Sequence, residues 1–133
     1  IDFFYRACGL DNNLIFISAT FRGKKDDKKN IKNKMNNLIE RKKKDQPSQI
    51  KTCGSTFKNP ENNKAWKLIK DSGCAGMKVG DAYISKKHCN FFVNEGKAKS
   101  SDLEKLIFEV KNKVFSKTGI KLELELQIIG DKL

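Results

Sequence analysis

Imidazole is nearly absent from this chain: His88 is its one histidine in 133 residues. The four cysteines, Cys8, Cys53, Cys74 and Cys89, include no pair at Cys-x-x-Cys spacing. Together these shortages argue against a zinc site, and no metal is expected. No apolar run approaches the ~20 residues of a membrane span. The opening IDFFYRACGL has neither a basic leader region nor a cleavage site. No membrane partner is expected, and the chain reads as cytoplasmic, with its thiols reduced and mostly buried. Position 1 is Ile where a complete chain begins with Met, which points to a piece of a longer protein. A G-x-S-x-G nucleophile elbow is also missing, which counts against a hydrolase using Ser55 or Cys53 with His88. His88 and Cys89 are neighbours, and neighbours on a strand face opposite ways, so they make no catalytic dyad with each other.

Positive charge is plentiful. The formal net charge is +12, and residues 22–44 alone hold eleven Lys or Arg against three acids. Such an excess suits anionic partners. A nucleic-acid-binding module would need arginines and aromatics interleaved on one surface. This segment is mostly lysine, with Phe21 alone at its edge, so a solvated helix face is the plainer reading and no nucleic acid is expected.

Hydropathy patterning predicts one α+β domain with a mostly antiparallel sheet and helices packed on it, in the order β-α-α-β-β-α-β. Leu14–Phe21 reads as a strand with Ile15, Ile17, Ala19 and Phe21 on one face. Asp26 and Asp27 offer caps for a basic helix ending near Lys44, with Ile31, Met35, Leu38 and Ile39 as its apolar stripe. Ala65, Leu68 and Ile69 mark a short helix that Gly73 stops. AYIS and NFFVN read as two strands. Ser101 and Glu104 fit a capping box for a helix carrying Leu103, Leu106, Ile107, Val110 and Val114, ended by Gly119. Leu122, Leu124, Leu126 and Ile128 alternate with Glu123, Glu125 and Gln127, as in a final strand with one buried face.

The stretch KTCGSTFKNP, residues 51–60, concentrates chemistry in a loop. Ser55 there is open to being a nucleophile, an acid, a phosphate ligand or a plain loop residue. Glu125 lies on the polar face of the last strand, where an acid is most often merely solvated. Spacing alone does not join Glu125 to Ser55.

Four motifs in order carry a resemblance: FFYR, CGSTFKNP, KAWKLIKDSGCAGMKVGDAYISKKHCNFFVN and DLEKLIFEVKNKVFSKTGIKLELELQIIG. From Phe4 to Gly130 the chain resembles the C-terminal part of the UDP-N-acetylenolpyruvoylglucosamine reductases, the MurB family, in their compact, type II-like form. The resemblance implies reduction of UDP-N-acetylglucosamine enolpyruvate to UDP-N-acetylmuramate by an FAD- and NADPH-dependent enzyme of peptidoglycan precursor synthesis. It implies Ser55 as the proton donor to C2, and Arg6 and Glu125 as the other catalytic residues. It implies Tyr5, Asn59, His88 and Ser85 as substrate-binding. Residues 1–22 would then be the end of a preceding FAD-domain region with an entry strand, and 23–133 the substrate-binding domain. The family's flavin is held mainly by glycine-rich N-terminal domains that nothing in this chain resembles, so the fragment alone is expected to be inactive. The alternatives are a basic nucleic-acid-binding module and a non-catalytic UDP-sugar-binding fragment. Three departures stand out: Cys8 where the family has serine after Tyr-Arg-x, Asp81 within its usual Gly-Gly-Ala, and Gln127 where a basic residue often follows the strand glutamate.

Overall fold

A computed structural model describes residues 1–11 and 13–130. Two units can be distinguished, Ile1–Asn33 and Lys34–Leu133. The first contains a hairpin, β1 (Phe3–Phe4) and β2 (Ala7–Cys8), paired antiparallel with Phe4 opposite Ala7. The strand expected over Leu14–Phe21 does not form: residues 14–27 are neither helix nor strand, and Ile15, Ile17 and Phe21 are about nine-tenths exposed. An alternating sequence becomes a strand only against a neighbour that supplies a ladder and covers one face. None of the described residues does so here.

Helix α1 (Lys28–Asp45) follows. Asp27 caps it as expected, its Oδ1 accepting from Lys29 N at 2.8 Å. The stripe Ile31, Met35, Leu38 and Ile39 is present but not buried.

The second unit is built on a four-stranded antiparallel sheet in the order β3-β6-β5-β4, formed by β3 (Lys51–Ser55), β4 (Lys78–Val79), β5 (Ala82–Ile84) and β6 (Phe91–Asn94). Helix α3 (Ser100–Thr118) packs on β4 and β5, and α2 (Ala65–Asp71) packs against α3. The α+β class and the AYIS and NFFVN strands are as expected, and the two pair directly, Tyr83 opposite Val93. β3 lies where the sequence suggested only a loop, because Gly54, a strand breaker by composition, sits inside a bulge. The α3 stripe packs as anticipated: Leu106, Ile107, Val110 and Val114 are buried with Phe57, Ile69, Ile84, Phe92 and Leu122. Its cap differs. Asp102, not Glu104, reaches back to the helix start, its Oδ2 accepting from Lys99 N at 2.9 Å, while Glu104 accepts from Ser100 Oγ. Gly119 ends α3 in the left-handed region at φ 71°, donating to Phe115 O at 2.8 Å.

The final strand is reduced to a single bridge, Leu124 opposite Phe57, flanked by Lys58 N to Glu123 O and Glu125 N to Thr56 O, both 2.9 Å. Leu122 is buried, but Ile128 is half exposed. The ladder is short because only residues 56–58, just past the end of β3, are offered as its partner.

Candidate active site

Ser55 owes its position to a bulge. β3 pairs with β6 as Lys51 opposite Asn94 and Thr52 opposite Val93, and the register then shifts to Ser55 opposite Phe91. The extra residue falls within Cys53–Gly54. Gly54 has φ +87°, and a Cβ added to it would meet nothing within 4 Å. The reason for glycine is thus the left-handed backbone and not the exclusion of a Cβ by neighbouring atoms.

Asn90 fixes the chain just beyond Ser55, and its role was not foreseen from sequence. It is 4% exposed. Its backbone carbonyl accepts from Thr56 N at 2.8 Å. Its side-chain Oδ1 accepts from Phe57 N at 3.0 Å, and its Nδ2 donates to Phe57 O at 2.8 Å. An asparagine offers both donor and acceptor in one plane, so it imitates a strand neighbour where the real strand has ended. Its place in CNFF, one residue before the strand, was the available signal.

From the opposite side the terminal segment docks through the Glu125 N to Thr56 O bond. Glu125, seventy positions away in sequence, is thereby set across from the residue next to Ser55. Ser55 and Glu125 are both partly buried, and Glu125 Oε2 is shut off from solvent.

Asn59 Oδ1 accepts from Ala65 N at 3.0 Å and so caps α2. Its carbonyl end therefore holds the helix start. Ser85 is buried, and its Oγ accepts from His88 N at 3.4 Å, bracing the connection between β5 and β6. The His88 ring lies 4.8 Å from the Phe91 ring, edge to face, and 6.2 Å from Trp66. Burial pushes the His88 pKa down, against raising contributions from a backbone hydrogen bond and from Asp45. His88 is therefore neutral at pH 7. Its Nδ1 is buried and makes no hydrogen bond, so that nitrogen makes no nucleophile–base pair with Ser55.

Tyr5 and Arg6 belong to the first unit, where they form the two-residue turn between β1 and β2. Arg6 adopts φ +58°, a conformation that costs a side-chain-bearing residue ~1–2 kcal/mol. Its guanidinium carbon lies 5.7 Å from the centre of the Tyr5 ring. Strain of this kind concentrates where geometry serves function. Cys8 is partly buried in β2 opposite Phe3. Cys53 is exposed, while Cys74 and Cys89 are buried, with burial raising both their pKa values. Those two are unreactive thiols.

The departures noted in the sequence have local explanations in part. Asp81 sits in the turn joining β4 to β5, where its Oδ2 accepts from Lys97 N at 3.2 Å and its backbone carbonyl from Glu95 N. Its carboxylate ties that turn to the loop before α3. Gly80 has φ +53° and lies so close to Asp102 that a Cβ would fall 3.0 Å from the carboxylate.

Residues 46–129 match the family model described as "UDP-N-acetylenolpyruvoylglucosamine reductase, C-terminal domain". Among curated relatives, a UDP-N-acetylenolpyruvoylglucosamine reductase of Pelagibacter ubique is 51% identical over 130 residues, covering 96% of this chain and 43% of that protein. One from Anaplasma marginale is 47% identical over 126 residues, covering 95% and 42%. The crystal structure of the reductase from Thermus caldophilus aligns with a TM-score of 0.65 and 36% identity, over 78% of this chain and 36% of the other. The chain thus spans less than half the length of the relatives it matches. With the family model covering most of its residues, this chain belongs to the UDP-N-acetylenolpyruvoylglucosamine reductase family and contains that family's C-terminal domain.

Proposed function

We propose that this chain is the substrate-side part of an FAD- and NADPH-dependent reductase that converts UDP-N-acetylglucosamine enolpyruvate to UDP-N-acetylmuramate in peptidoglycan precursor synthesis, in the cytoplasm. The observation that carries the reading is the Glu125–Thr56 backbone bond. The bond supports the reading because it joins the segment carrying Glu125 to Thr56, the residue that follows Ser55 and its glycine bulge.

The described residues do not fit a flavin. In the passages from β3 to α2 and from β6 to α3, several amides that could meet its pyrophosphate are already engaged by side chains. Asn94 Oδ1 accepts from Gly96 N and Ala98 N, Asp102 accepts from Lys99 N, and Asn59 accepts from Ala65 N. Hydride chemistry is accordingly assigned to the rest of the complete protein, and this chain handles the proton. Ser55 donates it to C2 of the reduced enolpyruvyl group. A hydroxyl is a weak acid, so it serves when the carbon is strongly basic and a neighbour restores the proton. Glu125 positions that relay or binds the substrate carboxylate. Arg6, with its fixed charge and forked donors, stabilises the developing enolate. Tyr5 orients Arg6. Asn59 contacts substrate through its amide, and His88, braced by Ser85, lines the binding surface.

The test uses the complete protein. Ser55→Ala should leave flavin reduction by NADPH unchanged and slow reoxidation by the enolpyruvyl substrate by roughly 10²–10⁴-fold, the usual contribution of a positioned proton donor. Ser55→Cys should recover part of the rate. Equal slowing of both half-reactions, read by rapid-mixing absorbance, would mean Ser55 shapes the site without being its acid.

A further inference from the structure

An exposed aromatic lies at the far end of a row that starts at Ser55. Ser55 and Phe91 are register partners across β3 and β6, and directly opposed residues share a face of the sheet. The Phe91 ring meets His88 at 4.8 Å, and His88 meets Trp66 at 6.2 Å with a 50° tilt. Burial decreases along this row: Phe91 is buried, His88 partly buried, and Trp66 40% exposed. Trp66 stands in the first turn of α2, whose start is held by the Asn59 cap. His88 lies beside the indole, tilted to it, and the indole keeps 40% of its surface in solvent. Lys64 and Lys67 flank it in sequence, Lys87 precedes His88, and all three are exposed.

Core packing does not explain this arrangement. The buried residues of α2 are Ala65 and Ile69, and Trp66 adds little to the core. A large aromatic left 40% exposed, with a second ring at its side and lysines next to it in sequence, has the make-up of a stacking platform beside an anion-binding surface. A UDP-sugar presents matching parts in matching order: a planar base at one end, a diphosphate in the middle, and the reacting carbon at the other end.

We propose that Trp66 is the nucleobase platform of this site. The uracil of the UDP-sugar stacks on the exposed surface of its indole, beside which His88 stands. Lysines 64, 67 and 87 draw in the diphosphate, and the enolpyruvyl end is directed along the row toward Ser55. This rests on the proposed function for the identity of the nucleotide. It goes further in assigning a specificity role to a residue that touches no reacting atom.

Trp66 is the single tryptophan of the chain, so its fluorescence reports on the platform without ambiguity. UMP, UDP, UDP-N-acetylglucosamine and N-acetylglucosamine 1-phosphate are titrated into the chain, with calorimetry in parallel. The three uracil compounds should quench the emission saturably, and the sugar phosphate should not. In the complete enzyme, Trp66→Ala should raise KM for the enolpyruvyl substrate about ten-fold, within the range for loss of one base–aromatic stack. kcat should stay unchanged, and Trp66→Phe should keep most of the affinity. If calorimetry detects UDP-N-acetylglucosamine while fluorescence stays silent, the base binds elsewhere and the platform is refuted with the proposed function intact. Failure of all three uracil compounds to bind the chain also refutes the platform. A complete enzyme that does not turn over the enolpyruvyl substrate refutes the proposed function itself.

Discussion

Replacing Asn90 by alanine gives a direct measure of how the Ser55 segment is held. The substitution removes two side-chain hydrogen bonds, 3.0 Å and 2.8 Å, both to the backbone of Phe57. Phe57 is 1% exposed and Asn90 4%, so water does not readily replace the lost partners. Each buried group left unsatisfied costs about 1–3 kcal/mol. Some relaxation is expected, and the sum comes to roughly 2–4 kcal/mol. Against a typical domain stability of about 5–15 kcal/mol this is large but survivable. With a urea m-value of about 1–3 kcal/mol/M, the unfolding midpoint should drop by roughly 0.7–4 M while m stays constant. Asn90→Asp retains an acceptor for Phe57 N–H but turns a second oxygen toward Phe57 O. Protonated, that oxygen can donate, so this variant should be more stable at acidic pH than at neutral pH, relative to the wild type. A stability loss below about 0.5 kcal/mol for Asn90→Ala would show that Phe57 finds other partners and that Asn90 is no clamp. In the complete enzyme the same substitution should lower kcat, because Ser55 lies only two residues from the released segment.

Gly54→Ala should destabilise by ~1–2 kcal/mol through backbone conformation alone, since φ is +87° and the Cβ enters open space. Gly54→Asn should cost less, as asparagine tolerates that region, and equal melting temperatures for all three proteins would contradict the bulge argument. His88 titrates in one direction only. Burial lowers its folded pKa below the ordinary imidazole value of about 6.5, so the unfolded chain binds more protons and stability should fall as pH drops through that value. As the only histidine, it makes this test clean: His88→Phe should flatten that part of the stability–pH curve, and an unchanged slope would locate the titration elsewhere. If the lysine-rich surface steers a diphosphate, the association rate of UDP-sugar should fall as salt shortens the Debye length from ~10 Å at 0.1 M. A rate flat across salt concentrations would reduce those charges to solvation.

The sequence by itself determined the α+β class, the three helices and the core face of α3, because those signals are local. Helical periodicity, the Asp27 cap and the left-handed stop at Gly119 act within one or two turns and need no partner. It also determined which residue types could carry the chemistry, through four ordered motifs. Two strands, AYIS and NFFVN, were legible as well, but the others waited on the tertiary structure, because a strand exists by virtue of its neighbour. Leu14–Phe21 alternates well yet pairs with no described residue, while KTCGS, with its glycine, became β3 because β6 was there to receive it across a bulge. The terminal LELEL alternation kept its buried Leu122 but formed a single bridge, since only residues 56–58 remained to pair with it. The same long-range contacts assembled the candidate site. No spacing rule links the Ser55 segment to Glu125, and the two segments are joined by the backbone bond from Glu125 N to Thr56 O. Nor does composition distinguish Asn90 from the chain's many other asparagines. Its importance comes from being buried beside two backbone groups that would otherwise have no partner.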